Sequence, residues 1–257
     1  MHFISAVIIT KNEERNIGRC LKSLTGVADE IIVVDDFSID ATVSICKEYN
    51  ATVINQRWLG FGDQKNAGNK IARHDYILSV DADEALDQHL AAAILIEKEK
   101  GLQGAYQLSR LNYYYGKFIR HGMEFPDHKV RLFNRNEACW DNQPVHETLR
   151  LPGSVRKIQL DGFLRHYTYY RIEEHLLKIN KYTGLASLQY YQKGRPYSLF
   201  KVLFSPFFTF IKAYIFRLGF LDGIHGLVLA IMNANAAFVK YAKLWELHRN
   251  KDQVDEE

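Results

Sequence analysis

Tyr76-Ile77-Leu78-Ser79-Val80-Asp81-Ala82-Asp83-Glu84 decides how this chain is read. An apolar run with the character of a buried strand stops at two carboxylates spaced i, i+2. In extended backbone, residues at that spacing point to the same side of the sheet. Two hard oxygen donors at a strand's carboxyl end can hold one divalent cation, which can in turn hold a diphosphate. The motif alone is short, since aspartates also cap helices and start turns. Its meaning depends on what surrounds it.

Upstream, strand and helix patterns alternate. Ala6-Val7-Ile8-Ile9 reads as a strand, and Glu14 to Leu24 as a helix with Ile17, Leu21 and Leu24 on one face. Glu30-Ile31-Ile32-Val33-Val34 is a second strand ending at Asp35-Asp36, and Ser38 or Asp40 caps a helix running to about Tyr49. Ala51 to Ile54 is a third strand, Gly62 to Ala72 a helix, and Tyr76 to Val80 the fourth strand. Continuous apolar strands separated by helices imply an α/β protein whose parallel sheet is covered on both faces. Ligands of such sheets bind outside the carboxyl ends of the strands. Thr10-Lys11-Asn12-Glu13, Asp35-Asp36 and Asp81-Ala82-Asp83 all fall there. Three polar clusters distant in sequence converge on one rim.

From Gly104 to His166 the pattern becomes short strand-like pieces rich in Tyr, Phe, Arg and His, an acceptor-side subregion. From Ile172 onward it is helical. This gives a catalytic domain over residues 1–170 (a nucleotide-binding half, 1–100, and an acceptor-side half, 101–170), a helical extension over 171–250 and a charged tail over 251–257.

A chain of 257 residues with 47% hydrophobic and 25% charged residues is ordinary for a folded protein. The formal net charge of +3 is small for a nucleic-acid partner, and none is expected. Cys20, Cys46 and Cys139 make neither a zinc pattern nor a disulfide framework, so they read as buried small hydrophobes in a reducing compartment. The N-terminus shows no signal-peptide pattern. The charge-free run Gly223 to Val239 falls short of the roughly 20 residues of a spanning helix, so none is expected.

The segments Ser5–Glu14, Ile32–Ser38, Gln64-Lys65-Asn66, Ser79–Glu84, Pro144-Val145-His146-Glu147 and His166–Tyr169 together resemble the inverting family 2 glycosyltransferases with the GT-A fold, a nucleotide-diphospho-sugar-binding mixed sheet with flanking helices. More narrowly the chain is similar to small bacterial enzymes that add a sugar, often glucose, to the inner core of lipopolysaccharide or lipooligosaccharide. The run Gly219 to Glu246 also looks like that subgroup. No Gln-x-x-Arg-Trp motif of processive synthases is present, which favours single addition.

The resemblance implies a UDP-sugar donor, Mn2+ or Mg2+ as cofactor, and a glycolipid or lipopolysaccharide-core acceptor. It assigns Thr10, Asn12 and Glu13 to the nucleotide, and Asp36 or Asp35 to the uracil N–H. Lys65 is offered to a phosphate, with a solvated lysine as the equal alternative, and Asn66 to the same wall. Asp81 faces the ribose or donor sugar and is also counted with Asp83 as a metal ligand, Asp83 takes the metal, and His166 is a further metal or diphosphate contact; Glu84 is read as exposed or as a support. Glu147 is the preferred general base and Asp127 the second choice among Glu124, Asp127, Asp141, Glu147 and Asp161. Arg131 and Arg135 either meet an anionic acceptor or are ordinary strand-surface charge. Tyr113, Tyr114, Tyr115, Phe118 and Trp140 either stack on sugar rings or pack the subregion.

Between Tyr197 and Phe220 phenylalanine is dense, Lys201, Lys212 and Arg217 are interspersed, and Pro206 is expected to kink or break the helix. Such a segment suits the headgroup region of an anionic membrane, which places the protein in the cytoplasm on the inner face of the bacterial inner membrane. Packing on the catalytic domain or on a second subunit is the alternative, and a homo-oligomer is left open. Two other classes compete with the transferase. A nucleotidyltransferase usually carries a glycine-rich loop after strand one, absent from Thr10–Glu14, and a non-catalytic scaffold would not need the Asp81/Asp83 pair. A dinucleotide-binding dehydrogenase is excluded by the lack of Gly-x-Gly-x-x-Gly.

Overall fold

The computed structural model describes residues 2–141 and 148–254. The elements run β1 (Ile4–Thr10), α1 (Ile17–Leu24), β2 (Glu30–Asp35), α2 (Thr42–Glu48), β3 (Thr52–Asn55), α3 (Phe61–Ile71), β4 (Tyr76–Asp81), β5 (Glu84–Leu86) and α4 (Gln88–Lys100). Then follow β6 (Ala105–Tyr114), β7 (Lys117–Phe118), β8 (Asp127–Asn134), β9 (Cys139–Trp140), β10 (Leu149–Arg150), β11 (Lys157–Tyr169), α5 (Ile172–Gln192), α6 (Leu199–Ile211) and α7 (Ile224–Val254). The chain divides into two compact units, Met1–Leu111 with Asp127–Tyr167, and Asn112–Pro126 with Thr168–Glu257.

The first unit is built on one mixed sheet in the order β3-β2-β1-β4-β8-β6-β11-β5. The strands β1 to β4 pair in parallel, and β8, β6 and β5 pair antiparallel with their neighbours. The Tyr- and Arg-rich middle of the chain therefore extends the sheet itself. Alternation sorts the side chains to its two faces. Ile4, Ala6, Ile8, Val33, Leu78, Val80 and Leu132 join α1 and α4 in one apolar cluster. The intervening Val7, Ile32, Ile77 and Phe133 join Trp140 in the other. The sheet is thus dry on both sides, which is why its strands read as unbroken apolar runs. Gly68 lets α3 lie close: a Cβ there would meet Val7 Cγ1 at 2.4 Å.

Two elements escaped the sequence reading. β5 and α4 follow the acidic motif directly, with Asp87 capping α4 by accepting the Leu90 N–H at 2.9 Å. β5 is three residues long, too short for any period to show.

The second unit is helical. Asp222 knits it together, accepting the N–H groups of Arg120 (3.0 Å) and His121 (2.8 Å) and pairing with Lys117 at 3.2 Å. α5 and α6 each pack against α7. Pro206 does not break α6, which runs through it to Ile211 and passes into a π turn, Lys212–Phe216. Leu199–Phe216 and Ile224–Asn250 are long and apolar enough to cross a membrane by length and composition alone. The second exceeds the charge-free run because the helix continues through Lys240 and Lys243. Cys20 and Cys46 are buried as expected, whereas Cys139 is exposed.

Candidate active site

Strand register brings the polar clusters of the first unit to one edge. Thr10 lies opposite Asp35, and Ile9 opposite Asp81. The loops after β1 and β2 clasp each other. Asn12 donates its N–H to Ser38 Oγ (2.8 Å) and accepts from Ile39 N–H through Oδ1 (2.9 Å), while Glu13 N–H donates to Thr42 Oγ1 at 2.8 Å. Asn12 and Phe37 both hold positive φ, 53° and 52°. Left-handed non-glycine residues in facing loops mark a backbone fixed by more than local preference.

The two aspartates after β2 differ. Asp35 is spent on its own turn, accepting Ser38 N–H at 2.8 Å and Ser38 Oγ–H at 2.5 Å. Asp36 accepts Trp58 N–H at 3.1 Å and meets Lys11 Nζ at 2.5 Å, and the Lys11 hydrogen bond holds its carboxyl below the ordinary range. Asp36 is the one paired with an exposed lysine. Thr10 Oγ1 has no hydrogen-bond partner among the described residues.

The acidic motif splits into two arrangements. Asp81 is gripped by protein cations, with Arg131 at 2.7 Å and Lys65 at 3.2 Å. Burial alone would raise its pKa; Arg131 and then Lys65 overcome that and hold the carboxyl far below the usual range. Asp83 has a different neighbour, its Oδ2 lying 3.2 Å from His166 Nε2. Antiparallel pairing sets this up: His166 is opposite Glu84, and Tyr167 N–H donates to Asp83 O at 2.9 Å. Among the described residues no group of three His, Cys, Asp or Glu gathers as a metal cage. Asp83 and His166 are nonetheless one carboxylate and one imidazole at a strand edge, a donor pair that fits a divalent cation whose remaining ligands are phosphate oxygens and water.

Around the motif the structure removes some of the alternatives that the sequence left open. Lys65 is buried, ion-paired to Asp81 and 4.6 Å from the Trp140 ring centroid, not solvated. Glu84 is also buried; its Oε2 accepts Asp81 N–H at 2.9 Å and its Oε1 meets Arg131 (2.9 Å) and Arg110 (3.3 Å). Arg131 is accordingly not strand-surface charge; it is buried and joins Asp81 to Glu84. Arg135 donates to the carbonyls of Asn69 (2.9 Å) and Ala72 (2.5 Å) and so closes the end of α3. Asn66 clamps Trp140 in both directions, donating to its carbonyl (2.8 Å) and accepting its N–H (3.1 Å).

Of the candidate bases, Glu147, with the rest of Pro144–His146, lies outside the described residues. Asp127 sits against Arg110 (2.6 Å) and Lys129 (3.2 Å). Burial works to raise its pKa, but Arg110 and then Lys129 win and lower it, which makes it a poor proton acceptor. Asp141 accepts Thr148 N–H at 2.7 Å and Asp161 is exposed. Glu124 belongs to the second unit, where burial pushes its pKa up while Asn233 donates to it at 2.6 Å. Trp140 belongs to the first unit and packs on Phe133, whereas Tyr113 and Phe118 pack on each other in the second. Arg110, the cation that ties β6 into the network, was missed. The signal was present: Asp127, Lys129 and Arg131 are charged at every second position, so they share one face of a strand. Next to this network opens a cleft of about 530 Å³ lined by Asp81, Arg110, Lys129, Arg131, Trp140 and Lys157 among others.

The mixed sheet covered by helices has the GT-A fold, with carboxylates at the carboxyl edge of its parallel half. The profile of Glycosyl transferase family 2 matches residues 5–150, and the chain belongs to that family of sugar-transferring enzymes. An uncharacterised glycosyltransferase of Rickettsia typhi is 34% identical over 96% of this chain and 88% of its own length. The lipopolysaccharide core biosynthesis glycosyltransferase LpsC of Rhizobium meliloti is 30% identical over 96% of this chain and 94% of its own. Among solved structures, the mannosyltransferase PcManGT of Pyrobaculum calidifontis, in complex with GDP-Man and Mn2+, aligns with a TM-score of 0.52 at 13% identity, over 94% of this chain and 86% of that one. That likeness speaks for the fold.

Proposed function

We propose that this protein is a metal-dependent, inverting hexosyltransferase that moves a hexose, glucose by the subgroup resemblance, from a UDP-sugar to a lipopolysaccharide- or lipooligosaccharide-core acceptor or a related glycolipid. The observation that carries the reading is the division of labour in the acidic motif: Asp83 is left with an imidazole 3.2 Å away, while Asp81 is held by Lys65 and Arg131. The similarity to LpsC supports the acceptor class.

In this reading Asp36 accepts the uracil N–H, exchanging Lys11 for the base. Thr10, Asn12 and Glu13 shape the nucleoside pocket, with Asp35 holding the turn beneath it. Asp83 and His166 hold Mn2+ or Mg2+, which supplies Lewis-acid stabilisation of the leaving diphosphate. Lys65 adds a fixed positive charge beside the donor, and Asp81 accepts from its sugar hydroxyls. A low, locked pKa suits that task, since Asp81 stays an acceptor throughout. Proton removal from the attacking hydroxyl is assigned to Glu147, because ion pairs with Arg110 and Lys129 make Asp127, the second candidate, a poor base. The enzyme works in the cytoplasm, peripheral on the inner face of the bacterial inner membrane, where a lipid-anchored acceptor presents its sugars.

The test is UDP release from a panel of nucleotide sugars with Mn2+ or with EDTA. Turnover that needs metal and is lost in Asp83→Ala with unchanged unfolding supports the reading. Turnover surviving both chelation and that substitution ends the metal assignment.

A further inference from the structure

α6 turns a stripe of large apolar side chains to solvent. Phe200, Leu203, Phe204, Phe207 and Phe208 fall at i, i+3, i+4, i+7 and i+8, one stripe of a helix. All five are exposed, from 44% for Phe204 to 68% for Leu203. The half-buried positions of α6 are Val202, Ser205, Pro206, Thr209, Phe210 and Ile211, and no residue of α6 is fully buried. In an ordinary amphipathic helix the aromatic stripe would face the protein and the small polar residues the solvent.

Charge adds the second observation. From Lys193 to Leu221 the chain carries Lys193, Arg195, Lys201, Lys212 and Arg217 and no Asp or Glu. Lys201 and Lys212 border an apolar groove of about 300 Å³ that also takes in Phe204, Phe208 and Tyr241. An exposed aromatic stripe rimmed only by cations needs a partner that is apolar within and anionic at its surface. A second copy of this chain would set the same cations against one another.

We propose that α6 and the turn after it form a docking surface for an anionic phospholipid bilayer. The helix lies in the interface plane, its phenylalanines enter the boundary between headgroups and acyl chains, and Lys201, Lys212 and Arg217 meet lipid phosphates. This deepens the membrane placement of the proposed function but rests on α6 alone, not on the sugar chemistry.

The full chain is floated with vesicles of phosphatidylcholine, and with vesicles that also contain phosphatidylglycerol. Retention on the anionic vesicles is expected to exceed that on the neutral ones by about tenfold or more and to fall with salt. F207S/F208S loses retention with unchanged thermal unfolding, since both rings are already in solvent, and K201Q/K212Q loses the preference for anionic lipid. No retention of the unaltered protein, or retention unchanged in F207S/F208S, overturns the proposal. So does a dimer in sedimentation that F207S/F208S dissociates, which makes a second copy the occupant, and so does protein that resists an alkaline carbonate wash, which means spanning. UDP release from nucleotide sugars is measured in parallel. Vesicle binding without any release leaves the docking surface standing and removes the transferase chemistry; release without binding does the reverse.

Discussion

Replacing Arg131 by Met tests whether the network beneath the acidic motif is what holds that motif in place. The guanidinium is 4% exposed and touches Asp81 at 2.7 Å and Glu84 at 2.9 Å. Removing one partner of a buried ion pair costs about 3–5 kcal/mol, because a buried charge is left behind. Here the lower end applies. Glu84 keeps Arg110 at 3.3 Å and the Asp81 N–H at 2.9 Å, and Asp81 keeps Lys65 at 3.2 Å. The expected loss is about 3 kcal/mol, roughly a 6–12 °C drop in melting temperature for a chain of this size. The loss also has a pH signature. Asp81 is held below its ordinary range on folding, and a carboxyl so depressed contributes stability above its unfolded pKa that disappears as pH falls toward the folded one. The gap between the two proteins should be complete above about pH 5 and narrow below about pH 4. Urea unfolding in a Trp245→Phe background reads this directly, because Trp58 and Trp140 both report on the first unit. A gap at neutral pH under about 1 kcal/mol, or one that does not change with pH, would show that the network is incidental.

Other expectations follow from single contacts. Asp83→Ala should lower kcat by about 10²–10³ with unfolding unchanged, and His166→Ala should raise the metal concentration needed for half activity; normal metal titration in the histidine variant refutes the paired-donor reading. Gly162→Ala should cost more than about 3 kcal/mol, because φ there is +93° and a Cβ would come within 2.2 Å of the Leu90 backbone nitrogen; a near-neutral melting temperature would contradict the geometry. His175 stacks on Tyr169 and hydrogen-bonds Tyr115, and burial pulls its pKa down to about 4. Stability of the second unit should therefore fall as pH drops from about 6.5 toward that value, with His175→Phe flattening the profile; an unchanged slope in the variant rejects this cause.

The parallel half of the fold was legible because burial on both faces writes itself as apolar runs, and β1, β2 and β4 lie close to where those runs place them. The antiparallel half was blurred for the converse reason. β8 buries Arg131 among ions, so a core residue looks in sequence like a surface one. The same effect hid Lys65 and Glu84. A charge's burial depends on its neutralising partner, and those partners lie 16, 47 and 50 positions away in the pairs Lys65–Asp81, Arg131–Glu84 and Arg131–Asp81. Asp83 and His166 were named together only through the family resemblance; nothing in their 83-residue separation signals the register that joins them. The aromatic density of α6 was plain in the sequence, but which side of the helix it occupies relative to α7 required the structure.

The strands at the two ends of the sheet's main path are short, β3 with four residues and β5 with three. An exposed strand recruits other chains in proportion to the length of unpaired backbone it offers, and these offer almost none. Lateral growth into fibrils is thereby discouraged, so a crowded solution of this enzyme should stay free of cross-β aggregates while the first unit remains folded.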